Sequence, residues 1–81
     1  MKVKVYTRTH CSYCVMAKNL LTARNIPFEE IDLTDQQELR DKIARPHHWH
    51  TLPMIFIDDD FVGGFRELHE LDKSGGLKTR S

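Results

Sequence analysis

The sequence predicts an α/β fold: a four-stranded mixed sheet with helices on both faces, in the order β-α-β-α-β-β-α. Three observations predict it. Short runs rich in Val, Ile and Phe alternate with segments whose apolar residues recur at three- and four-residue spacing. The opening strand–helix–strand order implies a right-handed unit with parallel strands. Two later apolar runs are separated only by an acidic turn, which makes them an antiparallel hairpin.

The first strand contains Val3, Val5 and Tyr6 and ends near Thr7. Beyond it Ala17, Leu20 and Leu21, flanked by Met16 and Ala23, recur at helical spacing, with Lys18, Asn19, Thr22 and Arg24 on the other side. Asn25 is the expected C-terminal cap, and Pro27 confirms the stop. Residues 28–33 form the second strand. Thr34 precedes Gln37 by three residues, the spacing of a capping box for a second helix. Leu39 and Ile43 share one face of that helix, and Arg45-Pro46 ends it. The run 54–57 is a short apolar strand, and Asp58-Asp59-Asp60 turns it into Phe61-Val62. After Gly63-Gly64, the residues Phe65, Leu68 and Leu71 mark a last helix, closed by Gly75-Gly76. No repeat, linker or low-complexity stretch interrupts this order, so residues 1–81 are expected to form one domain.

A chain of 81 residues lies near the lower limit for a self-sufficient core. Two cysteines cannot supply a disulfide framework, so packing must hold the fold, and 40% apolar content makes that feasible. Lys plus Arg equals Asp plus Glu at 12 each, with no long basic run, which argues against a nucleic-acid partner. No apolar run approaches the roughly 20 residues needed to cross a bilayer. Met1-Lys2-Val3-Lys4-Val5 lacks the pattern of a secretory leader, so a cytoplasmic address and no membrane partner are expected. In a reducing compartment, two neighbouring cysteines point to redox chemistry or metal binding.

The chemistry centres on Thr9-His10-Cys11-Ser12-Tyr13-Cys14, which follows a strand and opens a helix. At a helix start several backbone N–H groups lack partners and the macrodipole is positive; both favour an anionic sulfur at Cys11. Cys14 lies one turn on, within reach of Cys11 and deeper in the helix, as a resolving thiol would be. Arg8 and a protonated His10 would add positive charge. The competing reading is a zinc site. Four cysteines are not present, and a Cys2His2 set would have to draw on His47, His48 or His50 at a spacing unlike that of zinc fingers. The strand-then-helix setting favours redox chemistry.

These residues resemble the glutaredoxin family of the thioredoxin-like superfamily. The resemblance spans essentially the whole chain: Cys11-Ser12-Tyr13-Cys14 after the first strand, Thr51-Leu52-Pro53 before the third, and Gly63-Gly64 after the fourth. It implies a thioredoxin-like fold, a monomer, and thiol–disulfide exchange through Cys11 with Cys14 as resolving thiol. Its substrates would be glutathionylated or disulfide-containing proteins. Glutathione would be a co-substrate rather than a tightly bound cofactor. By position, the glutathione site would comprise Arg8, Tyr13, Arg40, Thr51, Leu52, Pro53, Gly64, Phe65 and Arg66. The resemblance also implies a cis bond before Pro53, turning the backbone of Leu52 towards the cysteines.

Two departures from the family pattern keep other readings open. Ser12 stands where many dithiol members have proline, and some members with altered motifs carry a glutathione-ligated [2Fe–2S] cluster between two protomers. Arg66-Glu67 replaces the more usual small polar or acidic residue followed by Asp, and Gly-Phe-Arg is similar to glutaredoxin-like electron donors reduced by thioredoxin reductase. Thr51 and Val62-Gly63 point to the glutathione-using branch. His47-His48-Trp49-His50 reads as a polar loop with a partly exposed aromatic, with a substrate-selecting rim or adventitious metal affinity as the lesser readings. His69 is expected on the polar face of the last helix, and Phe56 and Phe61 in the core.

Overall fold

A computed structural model describes residues 1–79; residues 80 and 81 of the expected domain lie outside the described residues. The strands are β1 (Val3–Thr7), β2 (Glu29–Asp32), β3 (Met54–Ile57) and β4 (Asp60–Gly63). The helices are α1 (Ser12–Ala23), α2 (Gln37–Ala44), α3 (Phe65–Lys73) and α4 (Gly76–Thr79), with a 3-10 turn over Arg45–His47. The sheet order is β2-β1-β3-β4, with β1 parallel to β2 and antiparallel to β3, and β3 antiparallel to β4. The expected mixed sheet is therefore present, with α4 as an addition. No helix among the described residues is long and apolar enough to cross a membrane.

Strand alternation sends successive side chains to opposite faces, and the register makes each face continuous. Val3 pairs with Ile57 and Val5 with Ile55, so these four lie on one face, where they join Ala17 and Leu21 of α1 and Leu68 of α3. On the other face Tyr6 and Phe56 meet edge to face at 5.7 Å, and Ile43, Ala44 and Trp49 close over them. Two small cores thus clamp the sheet. Burying a side chain such as Leu21 stabilises the fold by about 1.5–3 kcal/mol.

Local chemistry sets the ends of the elements. Asn25 adopts φ 59 after α1, its N–H bonds Thr22 O, and the Ile26 N–H bonds Leu21 O, closing the helix as a Schellman motif. Asp58 and Asp59 both have positive φ, the signature of a type I′ hairpin turn. Gly63 at φ 126 occupies a conformation that other residues rarely adopt, and a Cβ there would lie 2.7 Å from Glu67 Cγ.

Three expectations are corrected. Thr34 forms no capping box: α2 starts at Gln37 with Gln36 as N-cap and no side-chain cap. The Thr34 hydroxyl instead accepts the N–H of Thr9 at 2.9 Å, a tertiary partner that outcompetes the local one. Leu39 is 41% exposed, because α2 turns Ile43 and Ala44 towards the sheet. Gly75-Gly76 closes the Phe65–Lys73 helix as expected, but that helix is not the last one. Gly75 at φ 82 redirects the chain into α4, and Leu77 enters the core at 1% exposure.

Candidate active site

Cys11 is the N-cap of α1, with extended backbone at φ −116 and ψ 105. That geometry aims its side chain back over the first turn, where Sγ accepts the N–H of Cys14 at 3.2 Å. On its other side the Cys11 thiol donates to the Leu52 carbonyl at 3.7 Å. The Leu52–Pro53 bond is cis, and both residues are buried. The nucleophile candidate therefore lies between a helix start and the backbone of the segment preceding β3.

Cys14 is 1% exposed. Burial pushes its thiol up to about 12, and the hydrogen bond shared with the Cys11 sulfur adds to this, outweighing the opposing backbone N–H of Arg8. Both cysteines are reduced. The two thiols thus differ in kind: Cys11 is partly accessible, whereas Cys14 is enclosed and holds its proton at neutral pH.

The turn before Cys11 is pinned by hydrogen bonds. Thr34 Oγ1 accepts from Thr9 N, while the Asp32 carboxylate accepts the Thr34 N–H at 2.7 Å and is held below the usual carboxylate range by its bonds to Thr34. Beneath the cysteines the buried Thr7 hydroxyl donates to Glu30 at 2.8 Å, and Lys18 Nζ meets the same oxygen at 2.9 Å. These two donors, Lys18 first, lower the Glu30 carboxyl.

The residues expected at the site fall into adjoining hollows. Tyr13, Thr51, Leu52, Pro53, Gly64, Phe65 and Arg66 line a cleft of about 670 Å³ between the segment before β3 and the start of α3. Tyr13 is 61% exposed, its ring tilted against Phe65 at 6.3 Å. Arg8, Arg40 and Leu52 line a neighbouring cleft of about 390 Å³. Arg40 does not simply project into solvent: one Nη2 hydrogen bond at 2.9 Å fixes it to the carbonyl of His50. Arg8 also borders a third hollow with Cys11, Ser12, Cys14, Lys18 and Glu30.

Two further residues border the large cleft. Glu67 Oε1 accepts the Gly64 N–H at 2.9 Å, capping α3 from its third position. Trp49 packs on Gly64, where a Cβ would stand 3.2 Å from Trp49 Cζ2. The Trp49 Nε1 is buried and meets no acceptor among the described residues, an arrangement that costs about 1–3 kcal/mol. The Glu67 cap was legible as a Glu three residues after a helix-starting glycine. The seat of Trp49 depends on a tertiary contact, and no sequence signal marks it.

The histidine-rich loop is more ordered by aromatic contacts than its polarity suggests. His47 stacks on Phe61 at 4.3 Å and 12°, and Trp49 meets the same ring edge-on at 5.4 Å. Phe56 and Phe61 flank the core, partly buried, rather than filling it, and His69 is exposed and stacked on Phe65. Among the described residues no three His, Cys, Asp or Glu side chains converge into a metal-holding group.

A sheet with a Cys-x-x-Cys pair at the start of its first helix, facing a cis-proline segment, defines a thiol–disulfide oxidoreductase of thioredoxin-like fold. Comparison with known proteins narrows this class. Residues 3–62 match the sequence profile described as Glutaredoxin. A glutaredoxin of Pseudomonas aeruginosa is 40% identical over 75 residues, covering 93% of this chain and 89% of the relative. The solution structure of a Brucella melitensis glutaredoxin superposes with a TM-score of 0.86 at 38% identity, covering 98% of this chain and 86% of the other. A buckwheat glutaredoxin–glutathione complex superposes with a TM-score of 0.89 at 25% identity, covering 95% and 73%. The chain belongs to the glutaredoxin family.

Proposed function

We propose that this chain is a glutathione-dependent thiol–disulfide oxidoreductase, acting as one domain over residues 1–81 on glutathionylated and disulfide-containing proteins. The observation that carries the reading is the seat of Cys11: its sulfur accepts the Cys14 N–H at 3.2 Å and lies 3.7 Å from the carbonyl of Leu52, a residue that lines the open cleft. A backbone donor at a helix N-terminus stabilises negative charge on that sulfur. Cys14, pushed up to about 12, keeps its proton at neutral pH, so the first attack falls to Cys11. That a related buckwheat glutaredoxin has been captured with glutathione supports the choice of co-substrate.

In the first step the Cys11 thiolate attacks the glutathione sulfur of a protein–glutathione disulfide. A bond forms between Cys11 and glutathione, the protein–glutathione bond breaks, and the protein thiolate leaves and takes a proton from water. A second glutathione thiolate then attacks the glutathione sulfur of the adduct, releasing oxidised glutathione and restoring the Cys11 thiolate. With a protein disulfide, the Cys11 thiolate attacks one sulfur and forms a mixed disulfide, while the other sulfur leaves as a thiolate and takes a proton from water. Cys14 then attacks the Cys11 sulfur, its proton passing to the departing substrate thiolate. The resulting Cys11–Cys14 disulfide is reduced by two glutathiones, which leave as oxidised glutathione.

Along the cleft, Thr51 and the Leu52 backbone would pair with the extended tripeptide, and Tyr13 would flank its sulfur. Pro53 and Gly64 would shape the wall at the γ-glutamyl end. The N–H groups of Phe65 and Arg66, unpartnered within a helix's first turn, would hold the γ-glutamyl carboxylate. Arg8 and the free donors of Arg40 would meet the glycine carboxylate. The test is a glutathione-reductase-coupled assay on a glutathionylated peptide. Cys11→Ser should abolish turnover and Cys14→Ser should retain most of it; equal loss in both would refute the single-cysteine route.

A further inference from the structure

Trp49 is not among the glutathione-contact residues that the resemblance implies, yet it borders the cleft together with Thr51, Pro53, Gly64 and Phe65. It is the only tryptophan of the chain. Its backbone N–H bonds the Ala44 carbonyl at 3.2 Å, and its ring stands edge-on against Phe61, so it is held from two sides. The six-membered ring of the indole reaches α3, with Cζ2 lying against Gly64. A Cβ at Gly64 would also stand 3.5 Å from the Pro53 carbonyl and 3.6 Å from Glu67 Oε1, so Trp49, Pro53 and Glu67 all approach the Gly64 backbone. Cζ2 is two bonds from Nε1, which places the unpartnered indole N–H at the same junction.

Close packing transmits position. The indole lies against Gly64 at the start of α3 and lines the same cleft as Thr51, Leu52 and Pro53, so it borders both elements between which a tripeptide would be gripped. We infer that Trp49 is a positioning residue that sets the separation of these two walls and so selects disulfides bearing the γ-glutamyl arm of glutathione over those lacking it. This rests on the glutathione-dependent reading above. Trp49 touches no reacting atom: its effect falls on recognition, not on the exchange step at Cys11. The orphaned N–H adds a distinguishing feature, because a phenylalanine would keep an aromatic wall and remove the unmet donor.

The experiment compares two substrates built on one peptide thiol, disulfide-bonded either to glutathione or to free cysteine. Cysteine lacks both the γ-glutamyl arm and the glycine. For Trp49→Ala the KM for the glutathione disulfide should rise about tenfold with kcat within about twofold, because uniform binding is lost. The kcat/KM for the cysteine disulfide should stay within about twofold of wild type, since its contacts do not reach α3. Trp49→Phe should keep the glutathione KM within about twofold and melt no lower than wild type. A fall of both substrates together in Trp49→Ala, or retention of the wild-type preference, would overturn the assignment. If Trp49→Ala fails to fold, the Phe variant decides: a tenfold rise in its glutathione KM would equally overturn the wall. A wild type with no preference between the substrates would remove the glutathione reading itself, and this inference with it.

Discussion

The difference between the two cysteines makes a quantitative prediction. Enclosure raises Cys14 from the ordinary thiol value of 9.0 to about 12, mainly through burial and then through the hydrogen bond with Cys11. About three pH units lower the thiolate fraction at neutral pH roughly 10³-fold, and the thiolate is the species that alkylating agents attack. Reduced protein treated briefly with iodoacetamide at pH 7, then digested and mapped by mass spectrometry, should therefore carry the label at Cys11. The rate at Cys14 should lie about 10³-fold below its rate in the urea-unfolded chain. Modification of Cys14 within about tenfold of its unfolded rate, or ahead of Cys11, would refute the reasoning from burial.

The same thiol links stability to alkaline pH. The folded state holds the Cys14 proton to about 12 and the unfolded chain releases it near 9, so the contribution is whole below 9 and fades as pH rises towards 12. Wild type should lose about 1–2 kcal/mol between pH 7 and pH 10 that Cys14→Ser does not lose, as read from urea unfolding of both. At the acid end Glu30 is lowered by Lys18 and Thr7, so its contribution holds above about 4.5 and disappears as pH falls through the folded value. Lys18→Gln should move the Glu30 titration upward in carboxyl-carbon NMR. Leu21→Ala, at a fully buried position between α1 and the sheet, should cost about 2–5 kcal/mol in the same urea assay. Gly63→Ala should destabilise by more than about 1 kcal/mol, because φ 126 and the Glu67 side chain both oppose a Cβ.

Much of this molecule was legible from local pattern. β1, β3 and the acidic hairpin turn follow from alternation and turn chemistry, and Asn25 closes α1 as its left-handed preference allows. The resemblance carried by Cys11 and Cys14, Thr51-Leu52-Pro53 and Gly63-Gly64 anticipated which segments meet: Cys11 caps α1 beside the Leu52 carbonyl, and Gly64 caps α3 on the cleft that Thr51 and Pro53 also line. What escaped was set by partners distant in sequence. Thr34 forsakes the helix cap for Thr9, Leu77 is drawn into the core beyond two glycines, and Arg40 spends a donor on His50. Trp49 shows the same limit most sharply, because a polar histidine loop gives no hint that its indole packs on Gly64. Local rules propose partners, but only the assembled fold decides between them.

Glutathione-dependent exchange requires Cys11 to take glutathione onto its own sulfur. Intact-mass and peptide mass spectrometry of Cys14→Ser, mixed with a glutathionylated peptide in the absence of free glutathione, test it directly. One glutathione per chain is expected, bonded to Cys11 and removed by added glutathione. A chain that gains no glutathione, or that carries the released peptide in its place, would contradict it.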